Sequence, residues 1–207
     1  MECLFSEKLK SVQPFHFLFT YFMINPLWFG KDQILTREEL NEYKKKETIH
    51  LCTTRFNTET WEQNRLFCKT YQKGCFYSSP YCLKTSVGKN AWVFMLEMNN
   101  SQNKIMGIGC FMNILQHERY NVYTNSCYNH RYYDGIYRID RTDLNAEELA
   151  FIKELDNLCF YGRGHLKRGL RLTLFPAIIM CICAKHKVNM IEIIRNMFEK
   201  RFLCKFL

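Results

Sequence analysis

The sequence predicts one α+β domain over about residues 48–207, preceded by an apolar N-terminal arm and a polar helix within residues 1–47. Three observations lead there. The runs Ala91–Met98 (AWVFMLEM) and Ile105–Met112 (IMGIGCFM) flank the polar cluster NNSQNK, which reads as a hairpin. Cap-opened helical patterns alternate with such runs along the chain. The 207 residues are 47% hydrophobic and 24% charged, which suffices for a core and excludes a disordered or fibrous chain. With 4 Pro and 9 Gly there is no linker-rich or repeat design.

Element by element, the arm carries FHFLFTYFMINPLWF over Phe15–Phe29. This run is too short to span a bilayer, which needs about 20 apolar residues, and Asn25-Pro26 breaks it. Lys8 and Lys10 imitate a signal n-region, but no small-x-small cleavage site follows, so a docking arm, or an over-extended start with Met23 as the internal alternative, is set beside an N-terminal membrane anchor. Thr36-Arg-Glu-Glu39 is a capping box opening a short polar helix that ends in Lys44–Lys46, a tether that buries little beyond Leu40 and Tyr43. A strand follows at Ile49–Phe56, then a helix capped by Asn57 or Thr58 running to about Lys69. Gly74–Ser79 (GCFYSS) is a short strand stopped by Pro80. After the hairpin, Tyr120–Tyr137 is irregular or edge strand, and Gly135–Asp140 (GIYRID) a further strand. Asn145 opens a helix carrying Leu149, Ile152 and Leu155; Leu158–Tyr161 reads as a strand. Pro176 opens a helix over Ala177–Ala184, and Asn189 caps the last one, with Ile191, Ile194 and Phe198 as its core stripe.

Charge and cysteine usage bound the function. Net charge is +9, and residues 151–207 hold 11 basic against 4 acidic residues while residues 1–150 hold 18 against 16. A basic third on a near-neutral body suits a polyanion partner, RNA or DNA or an anionic surface. The 11 cysteines show no CxxC spacing, and several sit in apolar runs, as in a reduced intracellular protein of the cytoplasm or nucleus. Cys181, Cys183 and His186 form C-x-C-x2-H without an evident fourth ligand, so no metal site is expected. No GxSxG, HExxH, deaminase or dinucleotide fingerprint is present, and no cofactor is expected.

The segment Gly162–Arg171 is the clearest binding candidate. It combines Gly162, Gly164 and Gly169 with Arg163, His165, Lys167, Arg168 and Arg171, so that backbone and guanidinium groups can approach phosphates. It is not a P-loop, because GxxxxGK[ST] is absent. Strands are expected on both sides of it. Phe76, Tyr77, Trp61 and Trp92 are candidate stacking rings, each also a reasonable core residue.

GCFYSSP (74–80), FMLEMNNSQNKIMGIGCFMN (94–113), YNVYTNSCYN (120–129), YRIDRTDLNAEE (137–148), LCFYGRGHLKRGLRLTLFP (158–176) and NMIEIIRNMFEKRF (189–202) together resemble an uncharacterised family carried by large double-stranded DNA viruses. That resemblance brings no activity, and leaves open a protein that docks a host partner. Asn57–Ser79, the hairpin and YRID also resemble, more distantly, the PUA-like superfamily and its YTH domains, which read N6-methyladenine in RNA. The resemblance implies a small β-barrel with flanking helices and a cleft for one extruded base. It places Tyr77 and Ser78 at a cage aromatic and its polar neighbour, Asn57 and Trp61 beside them, and the Gly162–Arg171 loop on the nucleic-acid backbone. The cage position is Tyr where Trp is usual, and no position among Tyr120–Tyr133 is selected for a second cage ring. Nucleic-acid binding, possible reading of a modified base, a protein-interaction role and a nucleotide-processing enzyme are therefore carried forward in that order.

Overall fold

Capping chemistry sets where the helices begin. In a computed structural model, which describes residues 35–169 and 172–205, Thr36 opens α1 (Arg37–Lys46) through a reciprocal capping box with Glu39. Asn57 does the same for α2 (Thr58–Thr70) with Thr60, and Asn145 for α3 (Ala146–Phe160) with Glu148. Pro176 precedes α4 (Ala177–Lys185), and Asn189 caps α5 (Met190–Phe202). Seven strands complete the chain: β1 His50–Phe56, β2 Cys75–Ser79, β3 Trp92–Asn99, β4 Lys104–Met112, β5 Arg131–Gly135, β6 Tyr137–Asp140 and β7 Thr173–Leu174. The α+β class stands.

The strands form a five-stranded sheet in the order β6-β4-β3-β1-β7 and a separate two-stranded ribbon of β2 and β5. β3 and β4 are the antiparallel hairpin expected around NNSQNK, while β1 runs parallel to β3 with Thr53 opposite Leu96. Alternation along β3 sorts its side chains. Phe94, Leu96 and Met98 enter a core with Ile152, Leu155, Ile179, Ile194 and Phe198 of α3, α4 and α5. Val93 and Met95 enter a second core with Phe67 of α2 and Phe76, Tyr77 and Tyr133 of the ribbon. Both sheet faces are covered, which is why the strands read as nearly unbroken apolar runs.

Three segments differ from the sequence reading. Leu158–Phe160 is the last turn of α3, not a strand, because Ile152, Leu155 and Cys159 extend one buried helical face; a short apolar run alone does not separate the two. The run GIYRID splits at Ile136, which is 74% exposed. There the chain leaves the ribbon for the main sheet, pressed so close to β4 that a Cβ on Gly135 would lie 2.2 Å from the Cys110 carbonyl oxygen. And α1 does more than tether: Glu39 pairs with Lys185 of α4 at 2.7 Å, and Tyr43 packs against the helical core.

The apolar arm lies outside the described residues. Among the described residues no helix is long and apolar enough to cross a membrane. Nor do three His, Cys, Asp or Glu side chains converge as metal ligands among them. Cys181 and Cys183, two positions apart on α4, project roughly 200° apart around the helix axis. Burial pushes the Cys52 and Cys183 thiols up to about 12, so both act as small apolar groups.

Candidate nucleic-acid interface

β1 and β3 run parallel and an asparagine follows each, Asn57 as the cap of α2 after β1 and Asn100 in the turn after β3. Beyond these carboxyl ends, where open α/β sheets characteristically bind ligands, lies a cavity of about 260 Å³. It is lined by Thr54, Arg55 and Phe56 of β1, Asn57 and Thr60 at the start of α2, Ser78 of β2, and Asn100, Tyr123, Tyr128, Gly169 and Leu172.

Each wall is held by local chemistry. Asn57 Oδ1 accepts from the Thr60 amide at 2.7 Å and the Thr60 hydroxyl at 2.8 Å, which seats the amino end of α2 on the cavity. Asn129 Oδ1 accepts from the amides of Val122 and Tyr123, and its Nδ2 donates to the Tyr123 carbonyl. This side-chain-to-backbone knot folds the Tyr- and Asn-rich stretch back on itself and brings Tyr123 and Tyr128 edge to face, with centroids 6.2 Å apart. The Ser78 hydroxyl bonds the Tyr128 carbonyl, and the Tyr123 hydroxyl accepts from Asn64 Nδ2 at 3.0 Å. Burial raises the Tyr123 hydroxyl well above its ordinary pKa, so the ring presents a neutral face.

Arg55 forms the cationic wall. Its Nε donates to the Leu166 carbonyl at 2.6 Å, and burial lowers its pKa. That bond carries the chain from the cavity to the basic loop, where Gly162 (φ +76°) and Gly169 (φ +121°) adopt backbone angles that side chains resist. Gly162, Arg163, Gly164, His165 and Arg168 line an open hollow of about 550 Å³. Arg163 and Arg168 are exposed, and His165 Nδ1 is buried without a hydrogen-bond partner among the described residues.

The candidate residues thus divide. Asn57 and Ser78 line the cavity; Gly162, Arg163, Gly164, His165 and Arg168 line the hollow. Tyr77 lines neither. It is 1% exposed and points from β2 to the opposite side, where its hydroxyl donates to Glu97 Oε1 at 2.7 Å. Trp61 stands behind the cavity wall, edge-on to Phe56 at 5.4 Å and beneath the guanidinium groups of Arg65 and Arg138. Trp92 packs partly buried against the helical core, and Phe76 is fully buried. Lys167 turns from the hollow to Asn103. Arg171 lies outside the described residues. The loop runs between α3 and β7, not between two strands.

Residues the sequence reading did not single out complete the cavity: Arg55, Thr60, Asn100, Tyr123 and Tyr128. Their available signal was positional. Asn57 and Asn100 each follow a β-rich run, and YNVYTNSCYN sets tyrosines among the Asn residues that make turns. Comparison with protein-family models, curated proteins and solved structures finds no match for the chain.

Proposed function

We propose that the protein binds single-stranded nucleic acid, receiving one extruded base in the cavity and laying the neighbouring phosphates on the basic loop. One observation carries this reading: the cavity and the hollow adjoin at consecutive residues, Gly169 on the first and Arg168 on the second. A base-sized site and a guanidinium-lined hollow are joined at neighbouring residues, and the reading seats a base in the first and its phosphate on the second. At about 260 Å³ the cavity is below the usual range for drug-sized ligands and suits one ring system. Its Asn and Thr side chains offer the donors and acceptors that a base edge needs, and its tyrosines offer faces for stacking.

In this reading Tyr128, with Tyr123 behind it, supplies the stacking surface for which Tyr77 was a candidate. Arg163 and Arg168 grip phosphate, with Arg55 at the junction. A PUA-like arrangement is part of the proposal, and the close approach of β4 to the ribbon supports it: a Cβ on Gly109 of β4 would fall 2.8 Å from the Cys75 Cβ of β2, and one on Gly135 of β5 2.2 Å from the Cys110 carbonyl oxygen of β4. Reading of N6-methyladenine rests on the YTH resemblance alone, and the aromatic cavity is compatible with it.

The test is fluorescence anisotropy with single- and double-stranded RNA and DNA, each with and without N6-methyladenine, at two salt concentrations. A preference for single strands that survives the higher salt supports the cavity, and a further preference for the modified base assigns its occupant. Equal, salt-labile binding to every probe would reduce the interface to a basic surface. That result would favour the second reading, a protein-interaction role, for which Leu66 and Ile136, 67% and 74% exposed, are the apolar surface residues to examine.

A further inference from the structure

Lys167 belongs to the most basic stretch of the chain, and by composition alone it would be counted among the phosphate contacts. Its surroundings assign it otherwise. Its Nζ donates to Asn103 Oδ1 at 2.8 Å, across to the turn between β3 and β4. The Lys167 carbonyl accepts from Asn100 Nδ2 of the same turn at 3.0 Å. One residue earlier, the Leu166 carbonyl accepts from Arg55 Nε, and the Leu166 amide donates to the Cys159 carbonyl at 2.7 Å. Two successive loop residues are thus fastened by three side chains from β1 and the β3–β4 turn. The turn is itself anchored: the Asn100 amide donates to the Phe56 carbonyl at 2.7 Å, and Asn99 Oδ1 accepts from the Ser101 and Gln102 amides.

We infer that Asn100, Asn103 and Lys167 form a clip that positions the basic loop, and that Lys167 acts through this clip rather than as a phosphate contact. The inference rests on the nucleic-acid reading for its consequence but not for its existence. The loop has glycine at both ends, Gly162 and Gly169, each at positive φ, and its outward side chains Arg163 and Arg168 are exposed. Without cross-links at Leu166 and Lys167 such a segment would sample many shapes, and ordering it on binding would weaken affinity. The clip sets that order beforehand. Lys167 also brings its charge to Asn103 instead of to the hollow lined by Arg163, His165 and Arg168. Asn103 is suited to its place, since at φ +52° it turns the hairpin while its amide reaches the lysine.

Two measurements on the full chain test this, one without any ligand. An arginine-specific protease cuts after Arg163 and Arg168 only when the loop opens. Asn103→Gly removes the lysine's acceptor, keeps the positive φ accessible and leaves every loop charge in place. Cleavage should speed up by about three- to tenfold, the population change expected from one lost hydrogen bond in a partly solvated loop, with the melting temperature little changed. Asn100→Ala should act the same way through the Lys167 carbonyl. Cleavage at the wild-type rate in both variants would overturn the clip.

The second measurement is the salt dependence of binding to a fluorescein-labelled single-stranded oligoadenylate. Arg168→Met should reduce the slope of log affinity against log salt by about 0.7, one phosphate contact on a single strand. Lys167→Met should lower affinity severalfold while leaving the slope at the wild-type value. A slope that falls for Lys167→Met as it does for Arg168→Met would make the lysine a phosphate contact and refute its assigned role. If the wild-type protein ignores the probe, the proposed function fails, and the protease measurement still decides the clip.

Discussion

Two polar clusters lie on either side of β2, one sealed and one open, and a single step along the strand separates them. Tyr77 faces the sealed cluster, where Glu97 of β3, fully buried, accepts its hydroxyl and pairs with Arg138 of β6 at 2.8 Å. Arg138 also pairs with Asp140 and lies over Trp61. Burial works against the Arg138 charge, but Glu97 and Asp140 more than offset it, so the guanidinium stays charged. Burial first, then the Glu97 charge, holds the Tyr77 hydroxyl protonated. Ser78 faces the open cluster, among Asn57, Asn100 and Tyr128. The glycines of β4 make the sealed side possible. A Cβ on Gly109 would fall 1.9 Å from the Tyr77 hydroxyl oxygen, and one on Gly107 2.7 Å from Glu97 Oε2. What the contrast teaches is that a buried charge cluster with its polar groups mutually paired builds the fold, whereas a cavity with polar and aromatic walls is left for something else to enter.

The largest effect should come from breaking the sealed cluster. Glu97→Ala strands the Arg138 guanidinium in the interior and should cost about 3–5 kcal/mol of stability, read from urea unfolding. A loss below about 1 kcal/mol would place the pair in the range of solvated surface bridges and remove the distinction between the two regions.

A pair of tyrosines sharpens the comparison. Tyr77→Phe removes one hydrogen bond to a buried carboxylate and should cost about 1–3 kcal/mol of stability, with affinity for a single-stranded probe unchanged. Tyr128→Ala, at a half-buried cavity position, should do the reverse: stability nearly constant, and affinity down by about 1–3 kcal/mol, the worth of a stacked base. If instead Tyr77→Phe weakened binding and Tyr128→Ala did not, the stacking role would return to the β2 tyrosine.

This swap shows what the sequence carried and where it stopped. Caps and runs are local, so Asn57, Asn145, Asn189 and the hairpin about NNSQNK were legible from residue chemistry alone. Gly162, Arg163 and Arg168 were legible as a basic, glycine-broken loop for the same reason. The facing of Tyr77 and Ser78 was not. A strand pleat sends neighbours to opposite sides, but which side is the interior depends on where β4 passes, and that is set by Gly107 and Gly109, some thirty residues downstream. The cavity tyrosines were hidden likewise, because the Asn129 knot that folds Tyr123 onto Tyr128 has no periodicity to reveal it. Lys167 was counted by its charge, whereas its partner Asn103 belongs to a turn 64 residues away. Local chemistry was readable; pairings across long loops were not.

The smallest effect concerns the rim of the sealed cluster and is a matter of pH. Burial raises the Asp140 pKa, but the Thr142 amide and the Arg138 guanidinium outweigh it and leave the carboxyl below its ordinary value. A carboxyl depressed in the folded state stabilises the fold fully above its unfolded pKa, about 3.9, and that contribution is lost as pH falls through the folded value. Asp140→Asn removes the ionisation while keeping an acceptor for Thr142. The difference in urea midpoint between wild type and Asp140→Asn should therefore be widest near neutral pH and close progressively below about pH 4. A difference that stayed constant with pH would mean that the Asp140 carboxyl is not depressed in the folded state, so that neither Arg138 nor the Thr142 turn favours its ionised form. In that case the charge network ends at Glu97 and Arg138, and Asp140 belongs to the surface.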